Sequence, residues 1–194
     1  MPRELAEKKI LILGLGAIGS IVAETLTRCG AKVLALYDID QKESGNICRS
    51  TYSFYAGTTA KMQELWNTLT RISPHVECTC LDHEYDLLLK ASSKEQRTEM
   101  LNGYDVILDC TTDNQLMWIL DSIESKAQLI NLSITNHAQE LVCAFSPHVT
   151  NTVEHIYSLL NQYVNSDWYN PTGCWSPTFK ASYNDVASKV QFAV

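Results

Sequence analysis

Three glycines near the amino terminus have the spacing of a phosphate-binding turn. Gly14, Gly16 and Gly19 follow an apolar run over residues 9–13 and open a helical pattern. Gly14 permits a tight turn, Gly16 leaves backbone amides accessible to a phosphate, and Gly19 allows the helix to pack close to the strand. Because the amides and the positive end of the helix attract an anion, the stretch predicts a nucleotide site rather than a structural turn.

Acidic side chains follow the second apolar strand, which the sequence predicts over residues 32–37. Asp38 comes 19 residues after Gly19, close to the distance at which an acidic residue binds a ribose hydroxyl in dinucleotide sites. The polar connection over residues 39–49 contains Asp40 and is longer than the few residues that such a fold needs at this point. We therefore expect this loop to take part in function.

The remaining chain alternates between predicted helices and strands. Apolar periodicity predicts helices over residues 58–72, 92–101, 115–126, 152–164 and from about 182, and strands over 75–81, 105–111, 129–134 and 141–145. Ser92 and Glu95 have the spacing of a capping box at the start of the second of these helices. The alternation favours an α/β fold, namely a doubly wound, mostly parallel Rossmann-like sheet with helices on both faces, whose later strands are antiparallel at the edge.

In such a sheet, ligands bind beyond the carboxyl ends of the strands. The glycine turn, Asp38 and the polar stretch from Asp109 to Asn114 all fall at predicted carboxyl ends. We therefore expect them to converge on one crevice.

The composition is that of an ordinary globular protein and argues against several functions. With 194 residues, 45% of them hydrophobic and 19% charged, the sequence predicts a single domain over residues 1–194. A net charge of −7 without any basic run argues against binding to nucleic acid or to an anionic membrane. No stretch approaches the ~20 apolar residues of a membrane span, and the amino terminus does not have the pattern of a secretory signal.

The seven cysteines are scattered and include no CxxC pair, which is typical of reduced thiols in the cytoplasm. Cys110 and Cys143 lie within apolar strand patterns and are predicted to be core residues. The last helical pattern stops at Val194 without a polar cap, which favours a domain truncated at its carboxyl terminus over a natural terminus docked on the fold.

Six motifs, taken in order, resemble those of the ThiF/MoeB/HesA family, which includes the adenylation domains of ubiquitin-activating enzymes. The resemblance covers residues 9–146, some two thirds of the chain. The motifs are the glycine turn, Asp38-x-Asp40, Asn46-x-x-Arg49, a lysine opening the next helix, Arg71-Ile72-Ser73-Pro74 and Asp109-Cys110-Thr111-Thr112-Asp113-Asn114.

This resemblance implies an ATP-dependent adenylyltransferase. The substrate would be the C-terminal glycine carboxylate of a ubiquitin-like or sulfur-carrier protein, and pyrophosphate would be released. The resemblance also implies Mg²⁺ and a homodimer. A non-catalytic adenylation-domain scaffold is the alternative, and an NAD-dependent oxidoreductase ranks third because nothing downstream supplies a proton donor with a substrate domain.

The resemblance assigns roles to individual side chains. Arg49 matches the arginine that contacts the triphosphate, and Asp113 matches the magnesium-binding aspartate, with Asp109 the weaker metal candidate. Asp38 matches the acid that binds ribose. The neighbours of these residues in the nucleotide pocket are Asp40 and Asn46.

Structural roles compete with several of these assignments. Arg49 could pair with Asp38 or Asp40, Asn46 could cap a turn, and Asp113 could be the N-cap of the following helix. The lysine that opens the next helix, Lys61, either contacts the α-phosphate or is a solvated helix residue.

The chain also departs from the family pattern at three points. Lys61 stands four residues after Gly57, one position later than the family lysine, and the stretch from Asp109 to Asp113 carries one threonine more than the commonest form. Many family members place an arginine upstream of the first strand and donate it across a dimer. Here either Arg3 serves in that role, or the element is missing or has been cut away.

A thiol that accepts the activated carrier is a further possibility raised by the resemblance. Cys174 lies between Gly173 and Trp175 in a predicted loop over residues 165–178 and is the first candidate, with Cys48 beside Arg49 the second. Because no cation that would lower its pKa stands near Cys174 in sequence, a structural or partner-binding role for its loop is favoured.

Overall fold

The computed structural model describes residues 3–55, 57–81, 93–111, 113–135, 140–146 and 183–193. Within these ranges the helices are α1 (Arg3–Ala6), α2 (Ala17–Arg28), α3 (Ser44–Ile47), α4 (Lys61–Ile72), α5 (Lys94–Leu101), α6 (Asn114–Asp121) and α7 (Tyr183–Ala193). The strands are β1 (Lys9–Leu13), β2 (Val33–Tyr37), β3 (Glu77–Cys80), β4 (Val106–Asp109), β5 (Gln128–Thr135) and β6 (Glu140–Ser146). The predicted helix over 152–164, the loop over 165–178 with Cys174, and Ser182 lie outside the described residues.

The six strands form one sheet in the order β3-β2-β1-β4-β5-β6. Neighbouring strands from β3 to β5 are parallel, and β6 runs antiparallel to β5 at the edge. The chain therefore winds outward from β1 in one direction and then from β4 in the other. This confirms the doubly wound, mostly parallel sheet that the sequence predicts.

The central strands are apolar because helices cover both faces of the sheet. In β1, every residue after Lys9 is buried, and in β2 every residue after Val33 is buried. Helix α2 packs against both α4 and α7 on one face of the sheet. Right-handed crossovers place α5 and α6 on the opposite face.

Some element boundaries differ from those predicted. Helix α4 begins at Lys61 rather than at residue 58, and α6 ends at Asp121 rather than at 126. Ser93, not Ser92, caps α5, because its hydroxyl oxygen accepts a hydrogen bond from the backbone N–H of Gln96 at 3.3 Å.

The prediction that Cys110 and Cys143 are both core residues is half right. Cys110 is buried, whereas Cys143 is exposed. Cys143 lies in β6, the outermost strand of the sheet among the described residues, and alternate side chains of a strand point to opposite faces. Among the described helices, none has the length and hydropathy needed to cross a membrane.

Candidate functional site

The ends of three neighbouring strands lie at one level of the sheet. Leu13, the last residue of β1, pairs with Tyr37 in β2 on one side and with Asp109 in β4 on the other. Gly14 follows directly after Leu13, and Asp38 follows directly after Tyr37. The glycine turn, the acidic residues after β2 and the polar loop after β4 therefore meet at the point where the winding direction reverses, as expected from the sequence.

The glycine turn is a tight structure in which two glycines are required by geometry. Gly14 has a φ of 80°, and a Cβ there would lie 2.8 Å from Cγ2 of Thr111. A Cβ at Gly19 would overlap the carbonyl oxygen of Gly14, so the first turn of α2 packs directly on the glycine turn. Gly16 has open space where its Cβ would be, within the described part of the chain. The reasons predicted for glycine at Gly14 and Gly19 are confirmed.

The backbone N–H and the carbonyl oxygen of Leu15 both form hydrogen bonds with side chains. Its N–H donates to Oδ2 of Asp38 at 2.7 Å, and its carbonyl oxygen accepts a hydrogen bond from the hydroxyl of Tyr52. The other oxygen of Asp38 accepts from the N–H of Asp40 at 2.8 Å. Asp38 therefore fixes the glycine turn to the end of β2.

Tyr52 is a site residue that the sequence does not reveal. Burial is the main reason that its pKa lies well above the ordinary value, and the negative charges of Asp38 and Glu64 raise it further. Tyr52 therefore remains a neutral hydrogen-bond donor at physiological pH. Nothing in the local sequence indicates its partner, which is 37 residues away.

Lys61 lies within the acidic cluster. Its Nζ is 2.8 Å from Oδ2 of Asp40 and 3.6 Å from Oδ2 of Asp38. The lysine is only 6% exposed, so the alternative of a solvated helix residue is wrong. Asp40 has a largely exposed side chain, which leaves one side of the ion pair open to solvent.

A second buried lysine joins the loop after β2 to α4. Lys42 is 1% exposed. Its Nζ donates to the carbonyl oxygen of Ser53 at 2.7 Å and lies 3.4 Å from Oε1 of Glu64. Its backbone N–H donates to the carbonyl of Thr59 at 2.7 Å. Lys42 thereby fastens the loop that leads into Lys61, and the sequence gives no sign of this role.

Asn46 and Arg49 lie in and beside the short helix α3. The side-chain oxygen of Asn46 accepts a hydrogen bond from the backbone N–H of Glu43 at 2.8 Å, and the Glu43 side chain completes the capping box. The capping alternative for Asn46 is therefore confirmed. Arg49 is half-buried and lies two residues beyond the end of α3.

The start of α7 attaches to the same loop. The backbone N–H of Tyr183 donates to the carbonyl oxygen of Cys48 at 2.8 Å. The thiol of Cys48 is exposed and contacts the carbonyl oxygen of Gly45 at 3.4 Å. Of the two candidate thiols, Cys48 therefore lies next to Arg49 at the surface, and Cys174 is outside the described residues.

Asp113 caps α6. Its Oδ1 accepts hydrogen bonds from the backbone N–H groups of Gln115 at 2.8 Å and Leu116 at 3.3 Å. The N-cap alternative for Asp113 is therefore confirmed. Both bonds use one carboxylate oxygen, and the residue is exposed, so Oδ2 lies outside the cap interaction.

Asp109 is buried and accepts three hydrogen bonds from the described residues. Its Oδ1 accepts from the backbone N–H of Thr111 at 3.0 Å and from the Thr111 hydroxyl at 2.7 Å, and its Oδ2 accepts from the amide of Asn131 at 2.9 Å. Burial raises the pKa of Asp109, and these hydrogen bonds oppose the rise. Asp109 is thus an internal anchor of the loop.

The residue Thr51 lies against the first turns of α2 through its backbone. The backbone N–H of Thr51 donates to the hydroxyl oxygen of Ser20 in α2 at 3.3 Å. The Oγ1 atom of Thr51 is buried without a hydrogen-bond partner among the described residues.

Comparison with known proteins identifies the family. A model of the ThiF family matches residues 2–168, most of the chain. The chain belongs to the ThiF family. Its fold is also that of solved proteins at low sequence identity. Escherichia coli MccB superposes with a TM-score of 0.64 at 16% identity, over 96% of this chain and 54% of MccB. The E. coli tRNA N6-threonylcarbamoyladenosine dehydratase TcdA superposes with a TM-score of 0.62 at 19% identity, over 97% of this chain and 83% of TcdA.

Two relatives by sequence carry functional names. The chain is 27% identical to the ATP-dependent ubiquitin transferase-like protein Cap2 of Enterobacter hormaechei, over 94% of this chain and 31% of Cap2. It is 31% identical to ubiquitin-like modifier-activating enzyme 5 of Caenorhabditis elegans, over 55% of this chain and 26% of that enzyme. The ThiF chain thus spans less than a third of the length of these two relatives.

Proposed function

We propose that this ThiF-family chain is an adenylation domain that binds Mg²⁺·ATP and activates the C-terminal glycine carboxylate of a ubiquitin-like or sulfur-carrier protein. The observation that carries the proposal is the meeting of the glycine turn, the Lys61 cluster and Asp113 at the carboxyl ends of β1, β2 and β4. The names of the relatives agree with it, since Cap2 is called ATP-dependent and MccB has been solved with ATP.

The reaction is nucleophilic substitution at phosphorus. An oxygen of the glycine carboxylate attacks the α-phosphorus of ATP, the bond from that phosphorus to the bridging oxygen of the β-phosphate breaks, and pyrophosphate leaves. An acyl adenylate is formed. The protein must therefore hold the triphosphate in line with the carboxylate and offset the charge that develops on the leaving group.

The start of α2 supplies the amides for phosphate binding. In the turn, the N–H groups of Gly14 and Leu15 already donate to the Tyr37 carbonyl and to Asp38. Gly16, the N-cap of α2, has no side chain, and no side chain among the described residues caps this helix. Its first N–H groups therefore remain for an anion, at the positive end of the helix dipole.

Two cations serve the phosphates in this proposal. Lys61 exchanges its contact with the exposed Asp40 for a phosphate oxygen when the nucleotide binds, while the buried Asp38 keeps the glycine turn in place. Arg49 binds the β- and γ-phosphates, for which its planar, doubly donating guanidinium is suited.

Asp113 would be the protein ligand of Mg²⁺. It offers a carboxylate oxygen outside the cap interaction, at an exposed position two residues after Thr111, which contacts the glycine turn. Among the described residues, no three metal-ligating side chains cluster. One carboxylate suits Mg²⁺, which usually takes one or two from the protein and the rest of its ligands from phosphates and water. Bound there, the ion would neutralise charge on the triphosphate.

The oligomer and the location belong to the same proposal. We infer a homodimer in which an upstream arginine reaches the partner's triphosphate, and Arg3, with a side chain 90% exposed, is the candidate. Among the described cysteines, Cys29, Cys48, Cys78, Cys110 and Cys143 are reduced thiols, which is in keeping with a cytoplasmic protein.

A non-catalytic scaffold is the second candidate. It is favoured by the structural roles that three assigned residues already have, since Asp40 pairs with Lys61, Asn46 caps a turn and Asp113 caps a helix. The third alternative, an NAD-dependent oxidoreductase, gains no support from membership of the ThiF family.

Substitution of Asp113 tests the metal role separately from the cap. Asparagine is as good an N-cap as aspartate, whereas alanine removes the cap at a cost of about 1 kcal/mol. We expect Asp113→Asn to keep the unfolding free energy and to lose the Mg²⁺-dependent part of ATP affinity in calorimetric titrations. If Asp113→Asn binds ATP with an unchanged Mg²⁺ effect, Asp113 is only a helix cap.

A further inference from the structure

A chain of hydrogen bonds runs from the interior of the sheet to Asp113. The hydroxyl of Ser133 donates to Oδ1 of Asn131 at 2.8 Å, and the Asn131 amide donates to Oδ2 of Asp109 at 2.9 Å. Oδ1 of Asp109 accepts from the Thr111 hydroxyl at 2.7 Å. The oxygen of that hydroxyl accepts from the backbone N–H of Asp113 at 3.1 Å.

Each link of this chain has a defined direction. Because the ionised carboxylate of Asp109 only accepts, the amide nitrogen of Asn131 must face it, and the amide oxygen is left to accept from the Ser133 hydroxyl. Because Thr111 donates its proton to Asp109, its lone pairs remain for the N–H of Asp113. The proton positions therefore form one consistent set from β5 to the cap of α6.

Asn131 stands where packing alone would favour an apolar residue. It is 2% exposed, shares a face of β5 with the buried Leu129, and pairs directly with Asp109 across the strands. Among the described residues it gives Oδ2 of Asp109 its one hydrogen bond. A buried carboxylate that loses such a donor must reorient or take up a proton. The hydrogen bond to Asp109 therefore explains why the polar side chain of Asn131 occupies this buried position.

We propose that Asn131 is a positioning residue, which holds Asp113 through Asp109 and Thr111 in the geometry needed for Mg²⁺·ATP. The proposal rests on the function inferred above and adds a residue to it. The same loop contacts the glycine turn, since Thr111 occupies the space beside Gly14. A shift at Asn131 therefore reaches both the metal ligand and the phosphate turn.

The first test compares Asn131→Leu with a control on the same face of the same strand, Leu129→Ala. Leu129 is 3% exposed and takes no part in the hydrogen-bond chain. We expect Asn131→Leu to lower the gain in ATP affinity that Mg²⁺ provides by about tenfold, the lower end of the effect of removing outer-shell support from a metal ligand, in addition to any change in metal-free affinity that the contact of Thr111 with Gly14 transmits. Leu129→Ala should unfold more readily and keep the Mg²⁺ effect.

A conservative variant sharpens the test. Asn131→Asp places two carboxylates face to face, which can hold together only by sharing a proton. Relative to the unsubstituted chain measured at each pH, its Mg²⁺ effect should be lost at pH 8 and recover on acidification. If the Mg²⁺ effect of Asn131→Asp is the same at every pH, the hydrogen bond from residue 131 to Asp109 does not position the Mg²⁺ ligand.

Amide hydrogen exchange keeps this inference separate from the proposed function. The amides of Asp113 and Leu116 should exchange faster in Asn131→Leu than in Leu129→Ala, with or without nucleotide. If the unsubstituted chain shows no Mg²⁺-dependent ATP binding, the proposed function fails, but faster exchange would still support the positioning of Asp113. Unchanged exchange at these amides would overturn the role of Asn131.

Discussion

Nζ of Lys61 lies 2.8 Å from Oδ2 of Asp40 and is almost completely buried. The cation assigned to the α-phosphate is therefore already paired with an acid before a nucleotide arrives. Because the Asp40 side chain is 63% exposed, solvent weakens this ion pair, and a phosphate can replace it.

Separate substitutions of the two partners should have unequal effects. Lys61→Met removes a charged donor from the phosphate and leaves the buried Asp38 without its nearby cation, so we expect ATP affinity to fall by about tenfold or more. Asp40→Asn removes the competitor of the phosphate and should bind ATP at least as tightly as the unsubstituted chain. Equal losses in the two variants, measured by calorimetry, would mean that the ion pair itself supports the site.

Two of the three glycines in the turn, Gly16 and Gly19, provide a matched pair of alanine variants. A Cβ at Gly19 meets the Gly14 carbonyl oxygen, which is backbone and cannot move aside, whereas a Cβ at Gly16 enters open space. Gly19→Ala should lower the free energy of unfolding by about 1–3 kcal/mol or more. Gly16→Ala should stay close to the original stability and bind ATP more weakly, because its methyl group enters the space that we assign to the phosphate. The reverse order in urea denaturation would contradict this reading of the turn.

The hydroxyl of Tyr52 should contribute to stability through Leu15. Tyr52→Phe removes the hydrogen bond to the buried carbonyl oxygen of Leu15 and should cost about 1 kcal/mol. Tyr55→Phe is the control, because Tyr55 is fully exposed. Equal stability of both variants would show that the Leu15 carbonyl does not depend on Tyr52.

The same variant has a predicted pH dependence. The pKa of Tyr52 is higher in the folded state than its ordinary value of 10.0, so the unfolded chain loses this proton first. The stability due to Tyr52 is complete below pH 10 and is lost as pH rises from there toward the folded pKa. The difference in unfolding free energy between the unsubstituted chain and Tyr52→Phe should therefore shrink above pH 10. A constant difference across that range would contradict the burial of the hydroxyl.

Arg49 should distinguish the phosphates of the nucleotide. If its guanidinium contacts the β- and γ-phosphates, Arg49→Ala weakens ATP binding much more than AMP binding. Arg28→Ala is the control, because Arg28 pairs with Glu24 within α2 and takes no part in the proposed site. An equal loss of affinity for ATP and AMP would show that Arg49 does not contact the β- and γ-phosphates.

The fold could be predicted from sequence because its determinants are local. The strands β1, β2 and β4 are buried on both faces and appear as apolar runs, and the glycine turn between β1 and α2 has a fixed spacing. The Asp113 cap also lies within three residues of its partners, which is why it could be foreseen as an alternative.

The supporting contacts of the site could not be predicted, because they join distant residues. Tyr52 and Leu15 are 37 positions apart, and Asp109 and Asn131 are 22 apart. The exposure of Cys143 could not be predicted for a similar reason, since only the strand order shows that β6 is outermost among the described strands. Asn131 gave one usable signal, an amide side chain in a strand that also holds Leu129, Ile130 and Leu132.

The central claim is that this crevice binds ATP with Mg²⁺. Calorimetric titration of the chain with ATP, with and without Mg²⁺, and with NAD⁺ tests it most directly. We predict tight ATP binding that depends on Mg²⁺ and no binding of NAD⁺. Binding of NAD⁺ without binding of ATP would contradict the account.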